Sequence, residues 1–257
     1  MAEAIRLTYD SSARVIAIAD VEHRNADIRK NIADVLAIYK GMDPTFDCLY
    51  LETDRRMQPA LDRYEQAAAP DYSRIVSALY KVMPRLKTAG LGLNSEIEIL
   101  NETLLSQART LGYKLRAGDI DFATPLGRQV RSIRSDDALN STTRHEAASG
   151  LQERSHHFAD LVASDAASNV CHRSIVLFGS AHFLDRYLNM PVLSFPHYLQ
   201  QNAITFLVAH TEPLNCMTDK HEGIQDLCRR VEGGEQVAIV PDSGHASGTP
   251  PLIFLSK

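Results

Sequence analysis

A continuous apolar run, Val15-Ile16-Ala17-Ile18-Ala19, precedes a helical pattern and then a second apolar run over residues 46–51. This order constrains the chain more than any other feature. A strand without polar alternation is buried on both faces, the habit of parallel sheets covered by helices. Between the two runs, Ile28, Ile32, Val35, Leu36 and Tyr39 recur at helical spacing, with Asn25 placed to cap the helix, Gly41 to stop it and Pro44 before the next strand. Strand, helix and strand in this order predict a parallel pair joined by a right-handed crossover. The expected fold is therefore α/β, a mostly parallel sheet flanked by helices.

Residues 59–110 read as a helical insertion after the second strand, broken at Pro70 and at Gly90-Leu91-Gly92. Ile97, Leu100, Leu104, Leu105 and Ala108 mark one amphipathic helix that ends near Gly112. A third strand is predicted over residues 113–117, with Gly118-Asp119-Ile120-Asp121 beyond its end. Residues 124–149 are polar and predict loop and surface helix; a helix resumes over 152–162. Strands follow over 174–178, 191–195 and 204–209, with a short helix over 183–188. The tail predicts a helix over 223–231 and edge strands over 237–240 and 252–254. No repeat or linker interrupts the pattern, and 257 residues suit one large domain, so 1–257 is read as a single unit.

A net charge of −5 gives no electrostatic reason to expect nucleic acid or an anionic membrane as partner. No apolar run approaches the ~20 residues that span a bilayer. Residues 1–8 lack a charged-then-apolar leader pattern, so no Sec signal is expected there. Cys48, Cys171, Cys216 and Cys228 show no paired spacing. Cys48 and Cys171 lie in or beside apolar strands and read as small hydrophobes, which predicts no disulfide framework and a reducing, intracellular setting.

Chemistry concentrates where the predicted strands stop. The first runs into Asp20-Val21-Glu22-His23, the second into Glu52, and the strand over 174–178 into Gly179-Ser180-Ala181-His182. In an open α/β sheet, ligands collect outside the carboxyl ends of the strands. His23 and His182 each fall at the start of a helix, where the local positive potential favours a neutral imidazole, fit to act as base or metal ligand. Each alone reads better as a cap, whereas the matched pair together with Glu52 reads as a site. Glu52 ends an apolar strand and needs a partner: a metal, His23, or Arg55 and Arg56 in a structural pair. Asp20 reads as a group orienting His23, a ligand or base, or a turn residue. Arg154 lies on the helix over 152–162, facing either solvent or the site as an anion-binding group. No G-x-S-x-G elbow, Walker loop, GxGxxG or HExxH occurs.

The order A-D-V-E-H at 19–23, L-E at 51–52, E-R-S-H-H-F-A at 153–159 and G-S-A-H at 179–182 resembles a superfamily. It groups erythromycin-esterase-like proteins, ChaN-like haem-uptake lipoproteins, TraB/TIKI metalloproteases and a toxin domain. The resemblance covers roughly residues 13–185. It implies an α/β core whose motif residues fall on His23, Glu52 and His182, with Glu153, Arg154, Phe158 and Ala159 matching the helix motif. Ala19 and Asp20 stand where the family has Gly-Glu, and Asp20 is shorter by one C–C bond, ~1.5 Å.

The resemblance implies a hydrolase-like pocket in which His23, Glu52, His182 and Asp20 activate water, alone or through a divalent metal held by His23, Glu52 and His182. The target is an ester, lactone or amide carbonyl in a small molecule or host protein. Arg154, Arg55 and Ser180 are the expected binding residues. Among the members, the chain most resembles the type III-secreted effectors of plant-pathogenic bacteria, which implies a virulence protein made in the producer's cytoplasm and delivered into host cytosol. A ChaN-like haem module is the alternative; it needs an axial ligand, for which Tyr113, Tyr198 and His197 are candidates. A homo-oligomer is compatible with either reading.

Overall fold

The computed structural model describes residues 5, 11–20, 26–84, 97, 99–125, 127–128, 141–210, 236–240 and 252–256. The apolar run forms β1 (Val15–Asp20), buried along its whole length. It leads through α1 (Ala26–Met42) to β2 (Phe46–Asp54). The insertion is α2 (Gln58–Gln66), α3 (Tyr72–Val82) and α4 (Glu102–Thr110), followed by β3 (Lys114–Asp119). A long helix, α5 (Ser141–Ala167), then precedes β4 (Arg173–Gly179) and a 3₁₀ turn, Ser180–Phe183. A short hairpin, β5 (Arg186–Tyr187) and β6 (Met190–Pro191), leads to α6 (Phe195–Gln201) and β7 (Phe206–His210). β8 (Gln236–Val240) and β9 (Leu252–Ser256) complete the sheet.

The main sheet runs β3-β2-β4-β1-β7-β9-β8. β3, β2, β4, β1 and β7 are mutually parallel, and β9 and β8 add antiparallel strands at one side. Helices cover both faces. Ile16, Ile18, Leu49, Leu51, Ile175 and Leu177 pack with α1 to α4, while Ala17, Tyr50, Val176 and Phe178 pack with α5 and α6. That division follows from the two-residue alternation of strand side chains.

Local signals explain the element ends. Asn101 caps α4 by accepting from the N–H groups of Thr103 and Leu104 at 3.0 and 3.3 Å, and Gly112 at φ 76° turns the chain out of it. The exposed edge of β3 is sealed by side chains: Gln58 accepts from Ala117 N–H at 2.8 Å and donates to Leu115 C=O at 2.9 Å, and Glu65 accepts from Leu115 N–H. Occupied edge groups leave no template for another strand.

Several expectations change. β3 extends to Asp119, so Gly118 is a strand residue; a Cβ there would lie 2.1 Å from the Phe158 ring, and the missing side chain is what lets α5 approach. α5 begins at residue 141, inside the stretch expected as loop and surface helix. The short helix expected over 183–188 and the strand over 191–195 are replaced by the 3₁₀ turn, the hairpin and α6. Leu188 and Asn189, at φ 51° and 64°, make the two-residue hairpin turn that needs positive φ at both positions.

Cys48 and Cys171 form a disulfide, not two separate thiols. The β2–β4 register sets Cys48 beside Ser174, so the chain entering β4 brings Cys171 within 5.7 Å, Cα to Cα, of a residue 123 positions away. Cys216, Cys228 and the helix expected over 223–231 lie outside the described residues.

Candidate functional site

Three neighbouring strands end side by side, and each delivers a polar group to the face covered by α5. Glu52 follows Cys48 and Tyr50 on that face of β2, its side chain 10% exposed. Its Oε2 accepts from the Gly179 N–H at the end of β4, at 2.6 Å. Asp119, the last residue of β3, is buried beside it. Arg154 descends from α5 between the two carboxylates. Its Nη2 donates to Glu52 Oε1 and to Asp119 Oδ2, each at 2.5 Å, and its Nε donates to Asp119 Oδ1 at 2.9 Å. Burial opposes the guanidinium charge, but Asp119 and Glu52 more than offset it, so its pKa is raised and it stays protonated. The Phe122 ring lies 5.7 Å from the guanidinium carbon.

His182 sits in the 3₁₀ turn just past β4, 2% exposed. Its ring lies flat on Phe178, centroids 3.6 Å apart and planes inclined by 12°. Phe178 in turn packs on Phe158, which fills the space above Gly118. Nδ1 of His182 is 2.8 Å from Ser155 Oγ, and Nε2 is 3.7 Å from Glu52 Oε1. That second distance is too long for a direct hydrogen bond. Burial pushes the imidazole below its ordinary value, Glu52 pulls against it, and the Arg154 charge adds to the depression. His182 is therefore neutral near pH 7.

Of the residues singled out in the sequence, Glu52, His182 and Arg154 converge. Asp20 does not join them. Alternation along β1 places it with Ile16 and Ile18 on the opposite face, where it forms a fully buried ion pair with Arg29 of α1. Ser180 begins the 3₁₀ turn next to Gly179. Arg55 follows β2 directly, and its charge reaches His157 of α5; burial first, then Arg55, lowers the His157 pKa. His23 lies outside the described residues. Asp119 and Ser155 are members that sequence reasoning did not select. Each carried a signal: Asp119 is an acidic strand exit, and Ser155 stands third in E-R-S.

His23, the third member of the expected metal-ligand set, lies outside the described residues. No three metal-ligating side chains converge among them, and both Glu52 oxygens already accept protein N–H bonds, one from a cation. Each of the three haem candidates has a protein neighbour. Tyr113 is buried and donates to Leu36 C=O at 2.9 Å, Tyr198 lies under the His156 ring at 4.5 Å, and His197 Nε2 is 3.0 Å from Gln201 Nε2. No step below is routed through either group.

No protein-family model matches the chain, and no curated protein sequence matches it. Solved structures do. RRSP, a MARTX toxin effector domain from Vibrio vulnificus CMCP6, superposes with a TM-score of 0.51 at 16% identity, covering 82% of this chain and 35% of that one. The type III effector HopBA1 gives 0.49 at 16% identity over 82% and 84% of the two chains. ChaN of Campylobacter jejuni, solved with cofacial haem, gives 0.49 at 12% identity over 80% and 83%. The chain spans only 36% and 35% of the bacterial toxin chains it matches. At these identities the likeness establishes the fold alone. No helix among the described residues is long and apolar enough to cross a membrane. The chain shares its α/β fold with these bacterial toxin domains.

Proposed function

We propose that this chain is a hydrolase domain of the bacterial toxin-effector kind, acting on an ester, lactone or amide carbonyl inside a host cell. One observation carries the reading: a neutral buried imidazole faces a carboxylate across 3.7 Å, beside an arginine that ties the ends of two strands together. Water lodged against both acceptors loses a proton to His182 Nε2 as its oxygen attacks the carbonyl carbon. The O–H bond breaks, the N–H and C–O bonds form, and the imidazolium returns that proton to the departing oxygen or nitrogen. Glu52 stabilises the imidazolium, and Arg154 fixes Glu52 while Nη1, which those carboxylate bonds leave unused, meets substrate. Ser180 and Arg55 are assigned to the rim, and His23 completes the set as a second imidazole. Asp20 we assign to the fold. Its buried pair with Arg29 on the other face supports that. The likeness of fold to the Vibrio toxin effector domain supports a host-directed role.

The test is a panel of chromogenic esters, lactones and amides, with a parallel survey of new protein termini in host-cell lysate. Wild type should turn over at least one class, and Glu52→Gln and His182→Asn should each lower the rate by roughly 10²–10⁴-fold. Hydrolysis that both variants retain in full would overturn the proposal.

A further inference from the structure

Ser155 lies one residue past Arg154, fully buried, and its Oγ has two close neighbours: Leu151 C=O at 2.9 Å and His182 Nδ1 at 2.8 Å. A hydroxyl owns one proton. The carbonyl can only accept, so the contact to Leu151 consumes that proton, and a bond from a helical serine back to the carbonyl four residues earlier is a common arrangement. The second contact then needs its hydrogen from the ring. His182 must carry its proton on Nδ1, leaving Nε2 with a lone pair.

A second distance says the same. If Nε2 carried the hydrogen it would donate to the Glu52 carboxylate at about 2.7–2.9 Å, the usual length for an acceptor of that charge. The observed separation is 3.7 Å, the stand-off of two acceptors.

We infer that Ser155 is a positioning residue that sets the tautomer of His182, so that Nε2 faces the site as a base. Which nitrogen of a histidine is available depends on the hydrogen bond its other nitrogen makes. This assignment rests on the hydrolase reading for its purpose, though not for its geometry. In the reaction Ser155 takes no proton. It accepts from Nδ1–H throughout, while the proton taken from water resides on Nε2 and leaves with the product.

The test is a long-range ¹H–¹⁵N spectrum of the ¹⁵N-labelled full chain near neutral pH, with the His182 signals assigned by their loss in His182→Gln. The wild type should show Nδ1 protonated and Nε2 bare. Ser155→Ala should shift the ring toward the Nε2–H form, and Ser155→Thr, which keeps the hydroxyl, should restore the wild-type pattern. Turnover in Ser155→Ala should fall about 10–100-fold, the usual effect of removing such a partner, with threonine recovering most of it. A wild-type ring protonated on Nε2, or the same tautomer in wild type and Ser155→Ala, overturns the assignment. The spectrum needs no substrate, so this failure is distinct from that of the hydrolase reading, which rests on Glu52→Gln activity.

Discussion

Two buried arginine–carboxylate clusters sit at strand ends on opposite faces of one sheet, one at β1 and the other at β2 and β3, with β4 between them. Arg29 and Asp20 are sealed, with both side chains 0% exposed. Arg154, with Glu52 and Asp119, keeps contact with solvent, its side chain 17% exposed. In the sealed cluster, a charge pair joins β1 to α1. In the open one, a single guanidinium serves two carboxylates, and a neutral imidazole stands against one of them. The same residue types at strand ends are thus a sealed fastening on one face and, in the proposed function, a reactive cluster on the other. Access and the surplus of acceptors make the difference.

The largest expected effect breaks the sealed side. Arg29→Met removes the guanidinium of a fully buried ion pair, and losing one partner of such a pair costs about 3–5 kcal/mol. Urea denaturation should report that loss, and a change below ~1 kcal/mol would contradict a sealed pair. Next comes Gly118→Ala, which pushes the Phe158 ring away from β3. Overpacking of this kind costs about 1–3 kcal/mol. Phe158 is one helical turn from Arg154 and touches Phe178 under His182, so turnover should fall as well. Unchanged stability and turnover together would show that α5 does not rest on that glycine.

A smaller effect sharpens the open side through pH. The folded chain holds the His182 proton less firmly than the unfolded chain, whose histidine titrates near 6.5. Below that value the unfolded state binds more protons, so this stabilising contribution is fully present above pH 6.5 and declines as the pH falls toward the depressed folded value. His157 adds in the same direction. Denaturation midpoints taken between about pH 5 and 7.5 should fall with acid, and His182→Gln should flatten part of the slope. An identical slope in that variant would place the titration elsewhere.

The legibility of the site in the sequence follows the same division. Glu52 and His182 were readable because each closes an apolar run. The side of the sheet to which each belongs was not. β1 is buried on both faces, so nothing in Val15-Ile16-Ala17-Ile18-Ala19 says which parity meets α1, and Asp20 was grouped with the wrong layer. Asp119 was visible as an acidic strand exit but was not joined to the site, because nothing in the local pattern shows that Gly118 admits Phe158 and lets α5 bring Arg154 down onto it. Ser155 and the Cys48–Cys171 bond depend on how α5 and the β2–β4 register bring distant residues together. No local pattern encodes that. The parallel core strands and α1 were legible because buried strands and amphipathic stripes are local patterns.

The central claim is that one cluster fastens the fold while the other acts. Turnover per folded molecule, measured side by side for Arg29→Lys and Glu52→Gln with the folded fraction taken from urea curves, tests it most directly. The account predicts that Arg29→Lys loses stability but keeps near wild-type turnover per folded molecule, while Glu52→Gln holds its stability to within ~1–2 kcal/mol and loses roughly 10²–10⁴-fold in rate. Parallel losses of stability and turnover in both variants would contradict it.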